Sequence, residues 1–370
     1  MKTKHEMIIC SVNDQGFAGR MISYINRTYA LAIPSASDTF KPGVFSSGEF
    51  DPNFLMIARE VYLCASPDPQ IPPGELMNRL LSAAQAAYDA GAESVNCIVP
   101  DLPFARADKA PSQHKGAAYE KNKGRGRVAL AQAKALSSVG IKKVITVDIH
   151  SSAVESFYRE HFGDGLVVLD TNPMIADHLS KHEGIAGTDG SGIVLVAPDK
   201  GIRSKTEDLL SRLHDKGLRK ASALFISKTR KDANDPSQVV VELDQDDPHT
   251  DNFSSLSGRY VFIMDDMIDT AGTFSEASSV IKDKGIDAGK GTEIPKGLIA
   301  CFTHPVLAGK DHREPMLRLE QAGLSGLLLF NTHPFVERCI TPALSSITTI
   351  FDTTEMLGKA IIEFSSSPQE

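Results

Sequence analysis

The segment Val261-Phe262-Ile263-Met264-Asp265-Asp266-Met267-Ile268-Asp269-Thr270-Ala271-Gly272-Thr273 decides how this chain is interpreted. An apolar strand ends in two carboxylates, and a tight loop leads to a helix that we expect to begin near Thr273. Backbone N–H groups in such a loop and at the helix N-terminus bind phosphate. The adjacent carboxylates accept hydrogen bonds from two neighbouring hydroxyls. The pattern therefore predicts a site for ribose 5-phosphate.

Polar residues crowd the end of this strand. Three Asp and two Thr lie within nine residues, which is more than an ordinary buried strand followed by a capped helix requires. We therefore favour the functional interpretation over the purely structural one. The residues expected to bind the sugar phosphate are Asp265, Asp266, Asp269, Thr270, Ala271, Gly272 and Thr273.

Length and composition exclude several classes of protein. The chain has 370 residues, enough for two α/β domains, and 41% of them are hydrophobic and 23% charged, as in globular proteins with sizeable cores. The net charge of −8 argues against a general nucleic-acid binder, and no apolar run approaches the ~20 residues that span a bilayer. Five cysteines occur without CxxC spacing, and the N-terminus has no signal-peptide core. We therefore expect a cytoplasmic protein with reduced, buried thiols and no membrane partner.

Short apolar runs alternate with helical patterns, which predicts an α/β fold with mainly parallel sheets. We expect two lobes of similar plan, residues 1–160 and 161–351, with a C-terminal helix in 352–370 that packs back onto the first lobe. The predicted strands are 95–99, 144–147, 193–196, 223–226, 261–264, 298–302, 327–330 and 347–351. The predicted helices are 73–91, 127–139, 206–213, 274–284, 315–322 and 356–364. The stretches interpreted as loops are 110–126, 229–248 (around the short apolar run 239–243) and 285–295.

The segment 261–273 resembles the phosphoribosyl-binding loop that phosphoribosyltransferases share with the ribose-phosphate pyrophosphokinases, or PRPP synthetases. An Asp-Ile-His run at 148–150 lies just past a strand end, where open α/β sheets hold their ligands. It resembles the Asp-x-His motif of the pyrophosphokinases, which implies that His150 contributes to the Mg-ATP site. The same resemblance implies that Asp199, which also follows an apolar strand, is associated with the metal.

Lys228 and Arg230 follow the predicted strand 223–226 in the run Ser-Lys-Thr-Arg. This run resembles the Lys-x-Arg of the family's flexible catalytic loop, which covers the reacting phosphates. Alternate residues of an extended segment point the same way, which favours a catalytic role over an ordinary surface charge run. The resemblance therefore implies that Lys228 and Arg230 are catalytic.

Two segments resemble the family's nucleotide-binding motifs. Phe45, Ser47 and Glu49 belong to Phe-Ser-Ser-Gly-Glu, which is similar to a Phe-Ser-Asp-Gly-Glu motif that contacts adenine, often across a subunit boundary. Ser47 stands where the family has Asp. Arg106, in Phe-Ala-Arg-Ala-Asp-Lys at 104–109, takes the position that reaches the phosphates of ATP in Tyr-Ala-Arg-Gln-Asp-Arg. Thr-His-Pro runs at 303–305 and 332–334 are further family-like strand ends, implied to shape the ribose side.

The resemblance spans nearly the whole chain and implies two phosphoribosyltransferase-like lobes. The implied activity is transfer of the β,γ-diphosphate of ATP to the anomeric hydroxyl of ribose 5-phosphate, giving PRPP and AMP. It implies Mg²⁺ as cofactor, with His150 and Asp199 as metal-site residues. It also implies a homo-oligomer, either a dimer or a hexamer built from dimers, and no nucleic-acid partner.

Three alternative functions remain open at this point. The same diphosphate transfer to a larger 5-substituted ribose, such as ADP-ribose, is permitted by the altered adenine motif, the stretch 110–126 and His333. A non-catalytic regulatory homologue is disfavoured because Lys228, Arg230, His150, Asp199 and the complete 265–273 loop are all present. A simple phosphoribosyltransferase would need a shorter chain and would lack the first lobe's motifs.

Overall fold

The computed structural model describes residues 5–113, 115–230, 239–243, 256–287, 295–308 and 313–365. Contacts between Cα atoms divide the chain into two compact units. The first unit runs to Leu169 and also includes Thr332–Phe335 and the segment beginning at Asp352. The second unit comprises Asp170–Asn331 and Val336–Phe351. Within the described ranges, no helix is both long and apolar enough to cross a membrane.

Both units are built on mainly parallel β-sheets, which confirms the predicted fold class. The strands are β1 (His5–Ser11), β2 (Gly43–Val44), β3 (Phe50–Asp51), β4 (Ala58–Cys64), β5 (Ser94–Ile98), β6 (Val144–Val147), β7 (Leu166–Leu169), β8 (Ile193–Ala197), β9 (Ser222–Arg230), β10 (Val239–Leu243), β11 (Tyr260–Ile268), β12 (Gly297–Pro305), β13 (Gly326–Phe330) and β14 (Thr348–Phe351). In the first unit the sheet order is β1-β4-β5-β6-β7, and all neighbouring strands in it are parallel. A separate antiparallel hairpin consists of β2 and β3.

Helices connect most of the strands. They are α1 (Gln15–Tyr29), α2 (Ala36–Thr39), α3 (Pro73–Asp89), α4 (Ala117–Asn122), α5 (Val128–Ser138), α6 (Ser152–Phe162), α7 (Asn172–Ser180), α8 (Glu183–Ala186), α9 (Arg203–Asp215), α10 (Gly272–Asp287), α11 (Glu314–Gln321), α12 (Pro342–Ser345) and α13 (Thr354–Ser365). The local sequence of α3 explains why it forms: Pro73 starts the helix, and Leu76, Leu80, Ala83 and Ala87 recur at helical spacing and are buried.

Helices cover both faces of the first unit's sheet. Neighbouring residues of a strand point to opposite faces, so Ile8 and Ile9 of β1 belong to different hydrophobic clusters. The cluster around Ile8 includes α3, α5 and α6, with Tyr158 of α6 buried in it. The cluster around Ile9 includes α1 and α13, with Phe17 and Ile361 buried between helix and sheet. The carboxyl ends of the parallel strands are therefore left as the edge at which loops collect.

The sheet of the second unit reverses its direction of growth. Its order is β10-β9-β8-β11-β12-β13-β14, with β10 antiparallel to β9 and all other neighbours parallel. The chain adds β9 on one side of β8 and then adds β11 to β14 on the other side. In open α/β sheets, ligands bind beyond the carboxyl ends of the strands at such a reversal. Residues that follow β8 and β11 are therefore the first candidates for a site.

All three stretches interpreted as loops contain regular structure, and in 285–295 it is the end of α10, which continues to Asp287 instead of ending at 284. The six-residue helix α4 lies inside 110–126, where the polar, mostly exposed sequence has no apolar period to reveal it. β9 continues to Arg230 instead of ending at 226, and it pairs with β10 inside 229–248. The alternation of Ser, Lys, Thr and Arg gave no apolar signal for this extension. The rest of 229–248, and 288–294 within 285–295, lie outside the described residues.

Candidate functional site

The turn between β11 and α10 is short because β11 continues past its acidic pair. The sequence analysis expects the strand to end at these carboxylates, whereas pairing with β12 carries β11 on to Ile268. The turn is limited to residues 269–271. The helix α10 then begins at Gly272, one residue before the expected start. All residues predicted to bind the sugar phosphate thus lie at the carboxyl end of β11, in this turn or in the first turn of α10.

Ala271 gives this turn its shape. Its φ is 61°, in the left-handed region, which costs a residue other than glycine about 1–2 kcal/mol. The Ala271 carbonyl accepts from the backbone N–H of Ser275 at 2.9 Å and from its hydroxyl at 2.8 Å, which fixes the start of α10. A left-handed residue next to a helical turn brings successive N–H groups together in a concavity. This arrangement at a helix N-terminus is suited to a phosphate group.

Three carboxylates interact at the reversal of the sheet. Asp199 follows β8, and its carboxylate accepts from the N–H of Gly201 at 2.8 Å. Burial, then Asp266, and to a smaller extent Asp199 raise the pKa of the Asp265 carboxyl well above its usual range. Crowded carboxylate oxygens are the ligands that Mg²⁺ prefers, and a divalent cation would compensate their charge. The donor type of these residues therefore suits a magnesium ion, and the metal role of Asp199 stays a prediction.

A lysine and two threonines meet beside this acidic group. Lys205 Nζ on α9 donates to Thr171 Oγ1 at 2.9 Å and to Thr303 Oγ1 at 2.8 Å, and both threonines are buried. The register between β11 and β12 puts Thr303 beside Asp266 on the neighbouring strand. Thr303 is part of a predicted family-like Thr-His-Pro run, whereas Lys205 is not among the predicted site residues. A single lysine in an amphipathic helix has no sequence signal that could reveal this contact.

Lys228 and Arg230 lie within β9. Their backbone pairs with the edge strand β10, Lys228 opposite Val241 and Arg230 opposite Val239. This places them on a two-stranded extension of the second unit's sheet rather than on a separate loop. Their side chains are outside the described part of the chain, so their catalytic role stays a prediction.

In the first unit, Asp148 and His150 follow β6, as the sequence predicts. Asp148 has φ of 43°, and its N–H donates to the carbonyl of Leu169 at 2.8 Å. This bond ties the left-handed residue to the end of the neighbouring strand. His150 comes just before Ser151, the N-cap of α6, so it lies at the carboxyl edge of the sheet.

The Arg106 segment is tied to the same edge. Phe104 has φ of 65°, and its carbonyl accepts from the N–H of Ala107 at 2.8 Å, which closes a turn that exposes Arg106. The buried carboxylate of Asp108 accepts from the hydroxyl of Ser151 at 2.8 Å. The structure thereby joins the Arg106 and His150 segments, a contact that the sequence analysis does not anticipate.

Phe45, Ser47 and Glu49 lie at the tip of the β2–β3 hairpin, a separate element of the first unit. The Ser47 hydroxyl donates to the Glu49 carboxylate at 2.6 Å, and the Phe45 side chain is 55% exposed. The two polar residues predicted to contact adenine are therefore bonded to each other, beside an exposed aromatic ring.

His333 is grouped with the first unit, although the sequence analysis places its segment on the ribose side. Its Nε2 is 2.8 Å from Oδ2 of Asp101, and the two side chains are 6% and 16% exposed. Asp101 follows β5. No sequence motif around Asp101 predicts its pairing with His333.

Sequence comparison finds relatives along most of the chain. No protein-family model matches it. The chain is 25% identical over 339 residues to ribose-phosphate pyrophosphokinase 1 of Streptococcus agalactiae, which covers 90% of this chain and 87% of that protein. It is 27% identical over 291 residues to ribose-phosphate pyrophosphokinase 2 of Enterococcus faecalis, covering 77% and 73% of the two chains.

Structural comparison finds the same fold. The crystal structure of phosphoribosylpyrophosphate synthetase from Mycobacterium smegmatis matches with a TM-score of 0.69, covering 97% of this chain and 98% of that chain. Sequence identity in this match is 20%, so the likeness concerns the fold.

Proposed function

We propose that this chain, a distant member of the ribose-phosphate pyrophosphokinase family, transfers the β,γ-diphosphate of Mg-ATP to the anomeric hydroxyl of ribose 5-phosphate. The products are PRPP and AMP. The observation that carries the proposal is the turn from β11 to α10, where an acidic pair and the left-handed Ala271 meet at the reversal of the sheet.

The second unit is assigned to the sugar phosphate. The backbone N–H groups of Ala271, Gly272 and Thr273 are assigned to the 5-phosphate. Asp269 and Thr270 are assigned to the same sugar-phosphate site. Asp265 and Asp266 are assigned to the ribose hydroxyls, since carboxylates accept strong hydrogen bonds from vicinal hydroxyls. Burial and Asp266 raise the pKa of the Asp265 carboxyl, and a bound cation would offset this by favouring the carboxylate form.

The first unit is assigned to the nucleotide. Arg106 is exposed at a turn fixed by the Asp108–Ser151 bond, which supports contact with the phosphates of ATP. Phe45, Ser47 and Glu49 are assigned to adenine. The exposed ring of Phe45 offers a stacking surface, and the Ser47–Glu49 pair offers a hydroxyl and a carboxylate to the base.

The reaction requires positioning and charge neutralisation more than covalent participation of the protein. The anomeric oxygen forms a bond to the β-phosphorus, and the bond from that phosphorus to the oxygen bridging to the α-phosphorus breaks. AMP leaves with the bridging oxygen, and the hydroxyl proton is released. Lys228 and Arg230 are assigned to neutralise the charge that builds on the transferred oxygens.

Asp199 of the second unit and His150 of the first unit are each proposed as magnesium-site residues, and Asp265 interacts electrostatically with Asp199. When bound, the ion neutralises charge on the transferred phosphates. The N–H of Gly201 donates to Oδ1 of Asp199, which orients this carboxylate at the end of β8.

The direct test is to incubate the protein with Mg-ATP and ribose 5-phosphate and to measure AMP and the diphosphorylated sugar. Lys228→Ala should lower kcat by about 10²–10³ while substrate affinities stay near normal, the usual cost of one lost transition-state contact. Lys142→Ala is the matched control, because Lys142 is exposed at the opposite, amino-terminal end of β6. Equal kcat in the two variants would remove Lys228 from the mechanism.

Running the assay with several acceptors separates the alternatives. AMP formation with ADP-ribose but not with ribose 5-phosphate would show that ADP-ribose is the acceptor of the same diphosphate transfer. Release of diphosphate from PRPP in the presence of a free base, without ATP, would indicate a phosphoribosyltransferase. No turnover with any acceptor would overturn the proposal and favour a regulatory homologue.

A further inference from the structure

Arg318 lies on α11, outside the predicted site, and contacts the turn that precedes α10. Its NH1 group donates to the carbonyl oxygen of Thr270 at 2.8 Å. Its NH2 group donates to the carboxylate of Glu314, one helical turn earlier, at 2.7 Å. The guanidinium is planar and rigid, so the bond to Glu314 also orients the group that reaches Thr270. A charge-assisted hydrogen bond therefore holds this carbonyl from outside the turn.

Holding the Thr270 carbonyl also fixes the N–H of Ala271. The two groups belong to one planar peptide, and the described peptide bonds are trans. In a trans peptide the C=O and N–H bonds point in opposite directions. The Ala271 N–H is therefore directed away from Arg318, and it precedes the free N–H groups with which α10 begins.

This orientation needs support because Ala271 does not favour it. Its φ of 61° lies in the left-handed region, which is disfavoured for a residue other than glycine. Rotation of the Thr270–Ala271 peptide would relieve this strain and turn the N–H away. The opposite end of the turn is held separately, since the Leu307 N–H donates to the Ile268 carbonyl at 2.9 Å. Arg318, in contrast, contacts the rotating peptide itself.

We propose that Arg318 is a positioning residue that holds the Thr270–Ala271 peptide in the orientation that binds the phosphate of the sugar substrate. The inference rests on the proposed function for the identity of that substrate. Glu314 supports the same role by orienting the guanidinium. Arg318 itself contacts the turn through a backbone carbonyl and is assigned no bond to the substrate.

Binding measurements without turnover test the inference. In Arg318→Gln we expect the Kd for ribose 5-phosphate to rise about tenfold, on the scale of one lost charge-assisted hydrogen bond, with the Kd for ATP unchanged. Arg159→Gln is the matched control: Arg159 pairs with Glu155 across one turn of α6 at 2.8 Å and is similarly exposed. Glu314→Gln should also raise the Kd for ribose 5-phosphate, but by a smaller factor than Arg318→Gln. Equal Kd values for ribose 5-phosphate in Arg318→Gln and the wild type would overturn the positioning role of Arg318. An equal loss of affinity for ATP would also overturn it.

A double-mutant cycle separates positioning from general stability. In an Ala271→Gly background the left-handed conformation carries no penalty, so Arg318→Gln should weaken ribose 5-phosphate binding by a smaller factor than in the wild type. The same loss in both backgrounds would contradict the peptide-orientation argument. Binding without turnover in the wild type would leave this inference standing and overturn diphosphate transfer. No ribose 5-phosphate binding by the wild type would overturn both.

Discussion

At the scale of single residues, left-handed backbone marks the candidate site in both units. Five non-glycine residues in the described part of the chain have positive φ, and Phe104, Asp148 and Ala271 are three of them. Each lies in a segment assigned to ATP, to its metal or to the sugar phosphate. Such strain persists where the surrounding structure fixes it, and it concentrates at ligand sites. Sequence could not predict these conformations, because tertiary contacts rather than residue type impose them.

The strain at Ala271 predicts an unusual response to substitution. Ala271→Gly removes about 1–2 kcal/mol of left-handed strain but adds about 0.4–1 kcal/mol of unfolded-state entropy. We therefore expect a Tm equal to or slightly above the wild-type value. Ala271→Val should lower the Tm by several degrees, because a β-branched residue is poorly accommodated at positive φ. A lower Tm for the glycine variant than for the valine variant, in thermal unfolding, would show that this turn is not strained.

The Asp265 carboxyl predicts a pH dependence with a definite sign. Its pKa is raised in the folded protein by burial and by Asp266, so the folded state binds this proton more tightly than the unfolded chain does. Stability contributed by this group therefore falls as pH rises from about 4, the usual Asp range, towards the raised pKa. The Asp265→Asn variant has no carboxyl at this position, so it does not lose this stability as pH rises. Its Tm relative to wild type should increase with pH in metal-free buffer.

Magnesium provides the control for that experiment. Adding Mg²⁺ at pH 8 should raise the Tm of the wild type more than that of Asp265→Asn, because a cation that binds the folded state stabilises it. Identical pH profiles for the two proteins, with identical responses to Mg²⁺, would contradict the described acidic group.

At the scale of elements, strands buried on both faces could be predicted and the sheet order could not. β8, β12 and β13 appear in the sequence as continuous apolar runs because successive residues, which point to opposite faces of the sheet, are buried. The reversal between β8 and β11, which brings Asp199 near Asp265, depends on crossovers that carry no local signal. The extension of β9 was missed because its alternating polar residues belong to an edge extension rather than a core strand. The resemblance to pyrophosphokinases is confirmed by the sequence relatives.

The pairing of β9 with β10 predicts that the edge strand supports catalysis. Bonded and non-bonded pairs alternate in an antiparallel ladder, so replacing both Val240 and Val241 with proline must remove at least one hydrogen bond to β9. We expect kcat to fall as it does in Lys228→Ala, with little change in Tm, because β10 is at the edge of the sheet. Replacing both valines with threonine keeps the N–H groups and is the control. Full activity in the proline variant would show that the catalytic role of Lys228 does not depend on the pairing of β9 with β10.

At the scale of the whole molecule, charge is distributed unevenly. The net charge is −8, yet residues 109–127 hold six Lys or Arg and one Glu. We call these six side chains the basic arm, and all of them are exposed. They are Lys109, Lys115, Lys121, Lys123, Arg125 and Arg127. The arm follows Arg106 directly in sequence, so it lies in the unit assigned to ATP.

The basic arm predicts electrostatic steering of the nucleotide. Replacing Lys121, Lys123 and Arg125 with glutamine should slow ATP association by about tenfold at low ionic strength, with kcat unchanged. The difference should shrink above about 0.1 M salt, where the screening length is about 10 Å. Glutamine at Lys134, Lys142 and Arg159 removes the same charge elsewhere in the first unit. If both triple variants slow association equally, net charge rather than the arm is responsible.

The central claim is that the β,γ-diphosphate of ATP is transferred by attack at the β-phosphorus. The most direct test uses ATP carrying ¹⁸O in the bridge between the α- and β-phosphorus, with ribose 5-phosphate and Mg²⁺, and reads the products by ³¹P NMR. We predict that the label leaves in AMP, because the bond from the β-phosphorus to the bridging oxygen breaks. Label retained in the diphosphate product, or formation of ADP in place of AMP, would contradict the account.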